Sequence, residues 1–395
     1  MNIVGLSLLG ASAAMGLVAC ASVADVPHYV VRDLGTLAGP STRLEPGSVG
    51  ASIAAGRCVG SSVTSLAQRN FHAFRTAPDG LVDLGVLSGD EHSMGFGINA
   101  AGDVVGVSYK LGELVCHGVL WSAGGGATEL GTLEPRDINS TGSIAGSKPV
   151  SGAPGTSRAI RRIGSTTTDL GTLGGSSSMA FAISESNWVV GQSLLSNNST
   201  TQAFLVADGA MVGLGSLGGT NSRALDINGW TVVGIADVPG DLPRATRWTL
   251  TSTGTVATKI DLGVLPGTVN SAAYSVNAAG AIVGVSGDSA FLWRDGVMTD
   301  LNALVAPSGE WQLQRATGID EAGRIVGTGK RFGLQRAFVL TPRAPADLDA
   351  DGVVGPADLG ILLGAWGTTA STFDLSGDGV VGPADLGILL GSWGE

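Results

Sequence analysis

At 395 residues and 44% hydrophobic content, the chain has material for one large core and a small second one, which excludes a disordered protein. Its 63 glycines and 5% aromatics favour many short strands joined by tight turns over helices. The net charge of −11 is concentrated at one end: residues 347–395 carry eight acidic side chains and no Lys or Arg, so the nearly balanced body offers no basic surface for nucleic acid and no polybasic attraction to anionic lipid.

The chain opens on an apolar run, Ile3 to Ala24, ending in the small-residue cleavage pattern Ser22-Val23-Ala24. Residues 1–24 are therefore expected to be an export signal, removed to leave no membrane span, although no Lys or Arg precedes Arg32. Leu17-Val18-Ala19-Cys20 resembles the lipobox of bacterial lipoproteins and leaves lipid anchoring at Cys20 as the alternative to secretion. Cys58 and Cys116 then remain, both in apolar strand-like contexts, and are expected as buried thiols.

From Asp33 onward a unit recurs, marked by Asp33-Leu-Gly, Asp83-Leu-Gly, Glu129-Leu-Gly, Asp169-Leu-Gly, Gly213-Leu-Gly, Asp261-Leu-Gly and Asp300-Leu-Asn, at spacings of 50, 46, 40, 44, 48 and 39. A period in the forties made of short strands predicts a β-propeller with four strands per blade. The sixth unit shows the parts: Asp261-Leu-Gly-Val-Leu265, Ala273-Tyr-Ser-Val-Asn277, Ala281-Ile-Val-Gly-Val285 and Ser289-Ala-Phe-Leu-Trp293. Between the second and third lies a turn, Asn277-Ala-Ala-Gly280, repeated as Asn99-Ala-Ala-Gly102, Asn139-Ser-Thr-Gly142 and Asp320-Glu-Ala-Gly323, in which Gly supplies the positive φ a hairpin requires.

Seven copies of a Val-Val-Gly strand (Cys58-Val-Gly60 to Ile325-Val-Gly327) and seven of an x-Ala-Phe strand (His72-Ala-Phe to Arg336-Ala-Phe) agree on the count. Seven blades are expected, with six or eight left open because the first unit, Ala51-Ser-Ile-Ala-Ala-Gly56, is degraded. Since the body starts with Tyr29-Val-Val-Arg-Asp-Leu34 and ends with Arg336-Ala-Phe-Val-Leu340, successive strands of one unit, the N-terminal strand is expected to complete the last blade. Over residues 29–340 the sequence resembles the bacterial extracellular repeat family named for its His-Ala-Phe tripeptide, matched literally by His72-Ala-Phe74. That resemblance implies export and repetition and brings no chemistry with it.

Two recurring positions could line a surface: the acids Asp33, Asp83, Glu129, Asp169, Asp261 and Asp300, and the polar residues His72, His117, Arg158, Gln202, Arg244 and Arg336 before Ala-Phe. Their recurrence in nearly every unit argues for hydrogen bonds and ion pairs that pin loops. Trp121, Trp248 and Trp293 are expected in the core; Trp188, Trp230 and Trp311 fall outside that register and are read as core or turn packing, with sugar stacking the alternative.

After a linker at 343–346 the composition changes to Asp347-Leu-Asp-Ala-Asp-Gly-Val-Val-Gly-Pro-Ala-Asp358. Carboxylates at loop positions 1, 3, 5 and 12 (Asp347, Asp349, Asp351, Asp358), the Val353 carbonyl at position 7 and Gly352 at the sharp turn form an EF-hand-like calcium loop. The pattern returns 27 residues later as Asp374, Ser376, Asp378, Val380 and Asp385, so two calcium ions are expected, the second held less tightly because Ser376 removes an anion. Each loop leads into a helix whose stripe, Leu359, Leu362, Leu363 and Trp366 or Leu386, Leu389, Leu390 and Trp393, is expected to pack on its twin, with folding dependent on calcium.

Residues 347–394 resemble type I dockerins, the modules that dock cellulosomal enzymes onto cohesins. The pair that is Ser/Thr in that family is here Pro356-Ala357 and Pro383-Ala384, so the resemblance carries calcium ligation but not cohesin contact. The expected whole is an exported, monomeric, non-enzymatic binding or scaffold protein: a propeller at 25–342 presenting an interaction surface and a module at 347–395 docking to a protein or cell-surface partner. The alternative is a carbohydrate-active enzyme or accessory protein acting on polysaccharide. Such a hydrolase needs two converging carboxylates, and no non-repeated acidic pair stands out.

Overall fold

The computed structural model describes residues 29–37, 42–43, 53–64, 70–78, 80–112, 116–305, 310–349, 351, 353–370 and 373–394. The expected export signal, Cys20 and Gly352 lie outside the described residues. The strands form seven antiparallel sheets arranged as the blades of a propeller, and each of blades two to six uses four strands consecutive in sequence. Blade six is representative, with Ser271–Val276, Ile282–Ser286, Ser289–Arg294 and Val297–Asp300 in order. First strands of neighbouring blades touch one another and are therefore innermost: His92–Ile98, Glu134–Ile138, Gly174–Ile183, Ser222–Asn228, Ser271–Val276 and Trp311–Ile319 in blades two to seven.

Blade seven is completed by Tyr29–Asp33, which pairs along Leu334–Pro342 from Tyr29 opposite Pro342 to Asp33 opposite Phe338. The ring therefore closes on seven blades, with the N-terminal strand in the outermost position. In the degraded first unit the innermost position is divided between two fragments, Thr42–Arg43 and Ile53–Ala54, both paired to Arg57–Val63.

Two repeated devices explain why the motifs recur. The innermost strands of blades two to seven each carry a bulge, at Phe96, Arg136, Phe181, Leu225, Tyr274 and Thr317. Opposite or beside each bulge stands the Gly of the Val-Val-Gly strand, and a Cβ there would overlap the neighbouring carbonyl, Met94 for Gly106, Met179 for Gly191, Ala272 for Gly284. The Gly is required by close approach of two backbones.

The second device sits at the blade-to-blade link. Only the Asp of Asp-Leu-Gly belongs to a strand in most blades, as the last residue of the outermost one; the expectation that the whole Asp261–Leu265 segment is a strand is corrected, since Leu262–Leu265 cross to the next blade. Leu34, Leu84, Leu170, Leu214 and Leu262 donate their N–H to the carbonyl of the Ala in x-Ala-Phe. A Ser at the start of the next blade clips the link: Ser93, Ser178 and Ser271 each accept from that Ala N–H at 2.8–2.9 Å and donate to the motif Gly carbonyl at 2.6 Å.

The Phe of the same strand, at 74, 204, 291 and 338, is fully buried in clusters drawn from adjacent blades. Burying a side chain of that size contributes about 2 kcal/mol. Trp121, Trp248 and Trp293 are core, as expected; Trp188 is buried, half-exposed Trp230 meets it edge-on at 5.4 Å, and Trp311 packs edge-on against Phe338. Cys58 and Cys116 are free, Cys58 buried with burial raising its thiol pKa to about 12, and Cys116 only half-buried, which corrects the expectation for that residue.

At the C-terminal end, helices Pro356–Gly364 and Pro383–Gly391 share a core of Ala346, Val354, Leu362, Ala365, Val381 and Leu389, and the linker residue Ala344 packs on it. The two halves are tied reciprocally, Gly367 N–H to the Val381 carbonyl and Gly394 N–H to the Val354 carbonyl. The expected stripes are only partly buried: Leu359, Leu362, Leu386 and Leu389 face inward, while Leu363, Trp366, Leu390 and Trp393 remain exposed. Two nine-residue helices meet over a narrow seam, and the loop residues Val354 and Val381 already fill it.

Candidate functional site

The ring of acids is built into turns. Asp33, Asp83, Asp169 and Asp261 each accept, through Oδ1, from the N–H of the Gly two residues on at 2.8 Å, and Asp300 does so from Asn302 at 2.9 Å. Two of the expected cross-partners meet: His72 Nδ1 lies 2.9 Å from the Asp83 carboxylate, and Arg336 Nε lies 3.6 Å from Asp33. Burial raises the Asp83 pKa, but the bonds from His72 and the Gly85 N–H outweigh it and hold the carboxyl below the usual range. His117 turns instead to Asp90, at 3.1 Å.

In the first C-terminal loop, carboxylate oxygens of Asp347, Asp349 and Asp351 lie within 4.8 Å of one another, Asp347 buried and the other two exposed. This oxygen-only donor set suits a hard cation. Asp358, buried in the first turn of its helix, accepts from Leu348 N–H at 2.6 Å, Asp349 N–H at 3.0 Å and Gly355 N–H at 2.7 Å, so it fastens both ends of the loop to the helix. Some burial penalty remains, yet those N–H groups hold its pKa below the ordinary value.

Asp385 repeats the role with Ser376 N–H at 2.8 Å and Gly382 N–H at 2.6 Å, and the Gly382 bond leads in lowering its pKa. In the second loop Asp374 accepts from Gly377 and Gly379 N–H, both at 2.8 Å, while the Ser376 hydroxyl donates to Asp374 at 3.2 Å. Asp378 accepts from Val380 N–H at 3.0 Å; Val353 and Val380 are both exposed.

The sequence reading missed a second region, on the propeller axis. Where the innermost strands run into the Asn-x-x-Gly turns, a cavity of about 610 Å³ opens. Its rim is stitched from blade to blade: Asn99 Nδ2 to the Asn139 carbonyl at 3.2 Å, Asn139 Nδ2 to the Ser184 carbonyl at 3.0 Å, Asn277 Nδ2 to the Asp320 carbonyl at 3.1 Å, and Gly56 N–H to Asp320 Oδ2 at 3.0 Å. Glu185 accepts from Ser140 N–H, and Glu321 of blade seven reaches Ala278 N–H of blade six and Asn228 Nδ2 of blade five, both at 2.8 Å.

Besides Asp320, two buried aspartates line the wall. Asp137 accepts from Ile138 N–H of its own blade and Ile183 N–H of the next, both at 2.9 Å; Asp226 accepts from Ile227 N–H at 2.7 Å and Val276 N–H at 2.9 Å. Burial pushes the Asp137 pKa to about 7 and that of Asp226 to about 6; their amide donors pull the other way, while Asp226 adds repulsion to Asp137 and Glu321 adds it to Asp226. The signal was present in the repeat: other units hold Gly97, Ala182, Ser275 or Gly318 where these carry Asp. One residue deeper, bulged side chains of adjacent blades pack together, Arg136 over the Phe96 ring at 4.4 Å and Phe181 with Leu225 and Tyr274.

No family model matches the sequence, and no curated protein matches it. Among solved structures the chain is similar to TolB from Acinetobacter baumannii (11% identity, 72% of this chain and 63% of that one, TM-score 0.42). It is similar also to the β-propeller domain of the trilobed protease from Pyrococcus furiosus (8% identity, 66% and 82%, TM-score 0.44) and to a prolyl endopeptidase (11%, 81% and 51%, TM-score 0.48). The chain thus spans about two thirds of that TolB chain and half of that endopeptidase, and the likeness concerns the fold alone. Among the described residues no helix is long and apolar enough to cross a membrane.

Proposed function

We propose that this is an exported, non-enzymatic binding or scaffold protein, in which the propeller presents an interaction surface and the C-terminal module folds around calcium and docks the protein to a partner. The observation that carries the reading is the first C-terminal loop, where three carboxylates converge within 4.8 Å and a fourth, Asp358, ties the loop to its helix through main-chain N–H groups. Asp347, Asp349, Asp351, the Val353 carbonyl and Asp358 would hold one ion, and Asp374, Ser376, Asp378, the Val380 carbonyl and Asp385 a second. Bound there, calcium supplies charge neutralisation that lets the acids share a small space.

The non-enzymatic half of the reading is supported by how the propeller spends its acids. Those of the repeat close Asx turns, and the buried Asp137 and Asp226 each hold two main-chain N–H groups across a blade junction. Adding calcium to the metal-stripped full chain should slow amide exchange over residues 347–394 and leave the propeller amides unchanged. Exchange there that ignores calcium overturns the module assignment, and release of reducing ends from a polysaccharide panel overturns the non-enzymatic one.

A further inference from the structure

One bond of the blade junctions comes in two chemical forms. The residue before the clipping serine accepts from the N–H two residues before the motif Ala: Ser177 Oγ takes that of Ser157, and Asn221 Oδ1 that of Thr201, both at 3.1 Å. At the junction of blades one and two the acceptor is a ring nitrogen instead, His92 Nδ1, which takes the Phe71 N–H at 3.2 Å. A main-chain N–H can only donate, so Nδ1 carries no proton and the ring is the neutral Nε2–H tautomer. His92 is buried and stacked on Tyr109 with ring centroids 5.2 Å apart, which holds the ring in place.

Among the described residues no carboxylate pairs with the His92 ring. The acids at this end of the junction are engaged elsewhere: Asp83 with His72 at 2.9 Å, Asp90 with His117 at 3.1 Å, and Glu134 of blade three with Arg136 at 3.2 Å. Glu91, Tyr109, Lys110 and Cys116 are the other titratable groups on the surrounding strands and turns here. Arg57, Arg75 and Asp137 lie at the opposite end, bonded to Ala100, Gly102 and Ile183, with Cys58 beside Arg57. His72 and His117 turn Nδ1 toward a carboxylate, so a proton there keeps both pairs. A proton on His92 sets one N–H against another.

We propose that His92 is an acid-sensitive latch between blades one and two, whose protonation frees the Phe71 end of blade one from blade two. Blade one is the blade with least else to hold it, since its innermost position is divided between two two-residue fragments, Thr42–Arg43 and Ile53–Ala54. Opening takes up a proton for which the closed junction has no place at Nδ1, so the latch holds while the ring is neutral and weakens as pH falls. Asp137 and Asp226 push the stability of the whole propeller the other way over the same range, so a loss at this one junction stands apart from general softening. The inference rests on the propeller fold and is independent of the calcium reading.

Amide exchange of the full chain at pH 8 and at pH 5, each corrected for the chemical exchange rate, tests the latch. Protection at Phe71 should fall toward acid by up to about tenfold per pH unit, the limit for one coupled proton, while Ser157 and Thr201 keep theirs. His92→Asn, which installs the acceptor that blade five uses at Asn221, should keep the Phe71 bond and lose the pH dependence. Imidazole nitrogen-15 spectra of the unmutated chain give a second reading, in which the His92 Nδ1 should be unprotonated at pH 8. Phe71 protection unchanged between the two pH values, equal losses at Ser157 and Thr201, undiminished pH dependence in His92→Asn, or a protonated Nδ1 at pH 8 each overturns the proposal.

Discussion

In both the propeller and the C-terminal module an aspartate is withdrawn from solvent and tied to main-chain N–H groups, yet the carboxyls move in opposite directions. Asp137 and Asp226 are raised; Asp358 and Asp385 are lowered. Each receives two or three amide bonds, so the number of donors does not separate them. What differs first is burial: the propeller aspartates are enclosed between blades, whereas the module is two short helices thick and its aspartates lie at helix N-termini, where the dipole favours negative charge. The same local bond therefore stabilises a charge in a thin module and only partly offsets its burial on the axis of a thick one.

The largest test of this contrast is steric. Gly191→Ala places a methyl against the Met179 carbonyl where both backbones are fixed, so the propeller should lose about 3 kcal/mol in denaturant unfolding, while amide exchange in residues 347–394 stays as it was. Loss of both together would show that the two regions fold as one unit. Asp358→Ala should do the reverse, costing the module roughly 1–2 kcal/mol by freeing the N–H groups of Leu348, Asp349 and Gly355, and leaving the propeller transition in place.

Next in size is the response to pH. A raised pKa means that the folded propeller binds protons more tightly than the unfolded chain, so its stability should fall as pH rises from the ordinary carboxylate range through about 6 and 7. The lowered Asp358 and Asp385 act the other way: their contribution is present above the ordinary carboxylate pKa and is lost as pH falls through the depressed values. Calorimetric scans should show the propeller transition falling between pH 4 and 8 and the module's falling only below about pH 4, and a module that follows the propeller down across pH 4–8 would break the comparison. The smallest effect is expected from His72→Ala, about 0.5 kcal/mol, because the His72–Asp83 pair is partly exposed.

Much of the architecture was legible because the same steric demand is met six times, once in each of blades two to seven. Gly106, Gly191 and Gly284 recur because a bulge faces them, and Asp83, Asp169 and Asp261 recur because each closes the same turn. Phase alone located the closing strand at Tyr29–Asp33. The clipping serines, such as Ser178, escaped notice because a hydroxyl in a Ser-rich stretch carries no pattern until its two partners are seen.

Asp137 and Asp226 escaped for the opposite reason. They depart from the repeat, and only the folded ring brings blades three and five to one axis. In the module, spacing marked Asp347, Asp349 and Asp351, whose oxygens converge, but it could not tell that Trp366 and Trp393 would stay half-exposed, since that depends on how little seam two nine-residue helices share.

The closing strand also decides how force would pass through the molecule. Leu334–Pro342, the segment that leads into the C-terminal module, is hydrogen-bonded on one edge to Ile325–Arg331 and on the other to Tyr29–Asp33. A pull applied at the C-terminus loads both rows in shear, so all their bonds resist together, where an outermost strand would peel away bond by bond. Asp33, held by Arg331 at 3.3 Å, pins the far end of that clamp. Docking through the C-terminal module, as proposed, would therefore put tension on a doubly stitched strand rather than on a free edge.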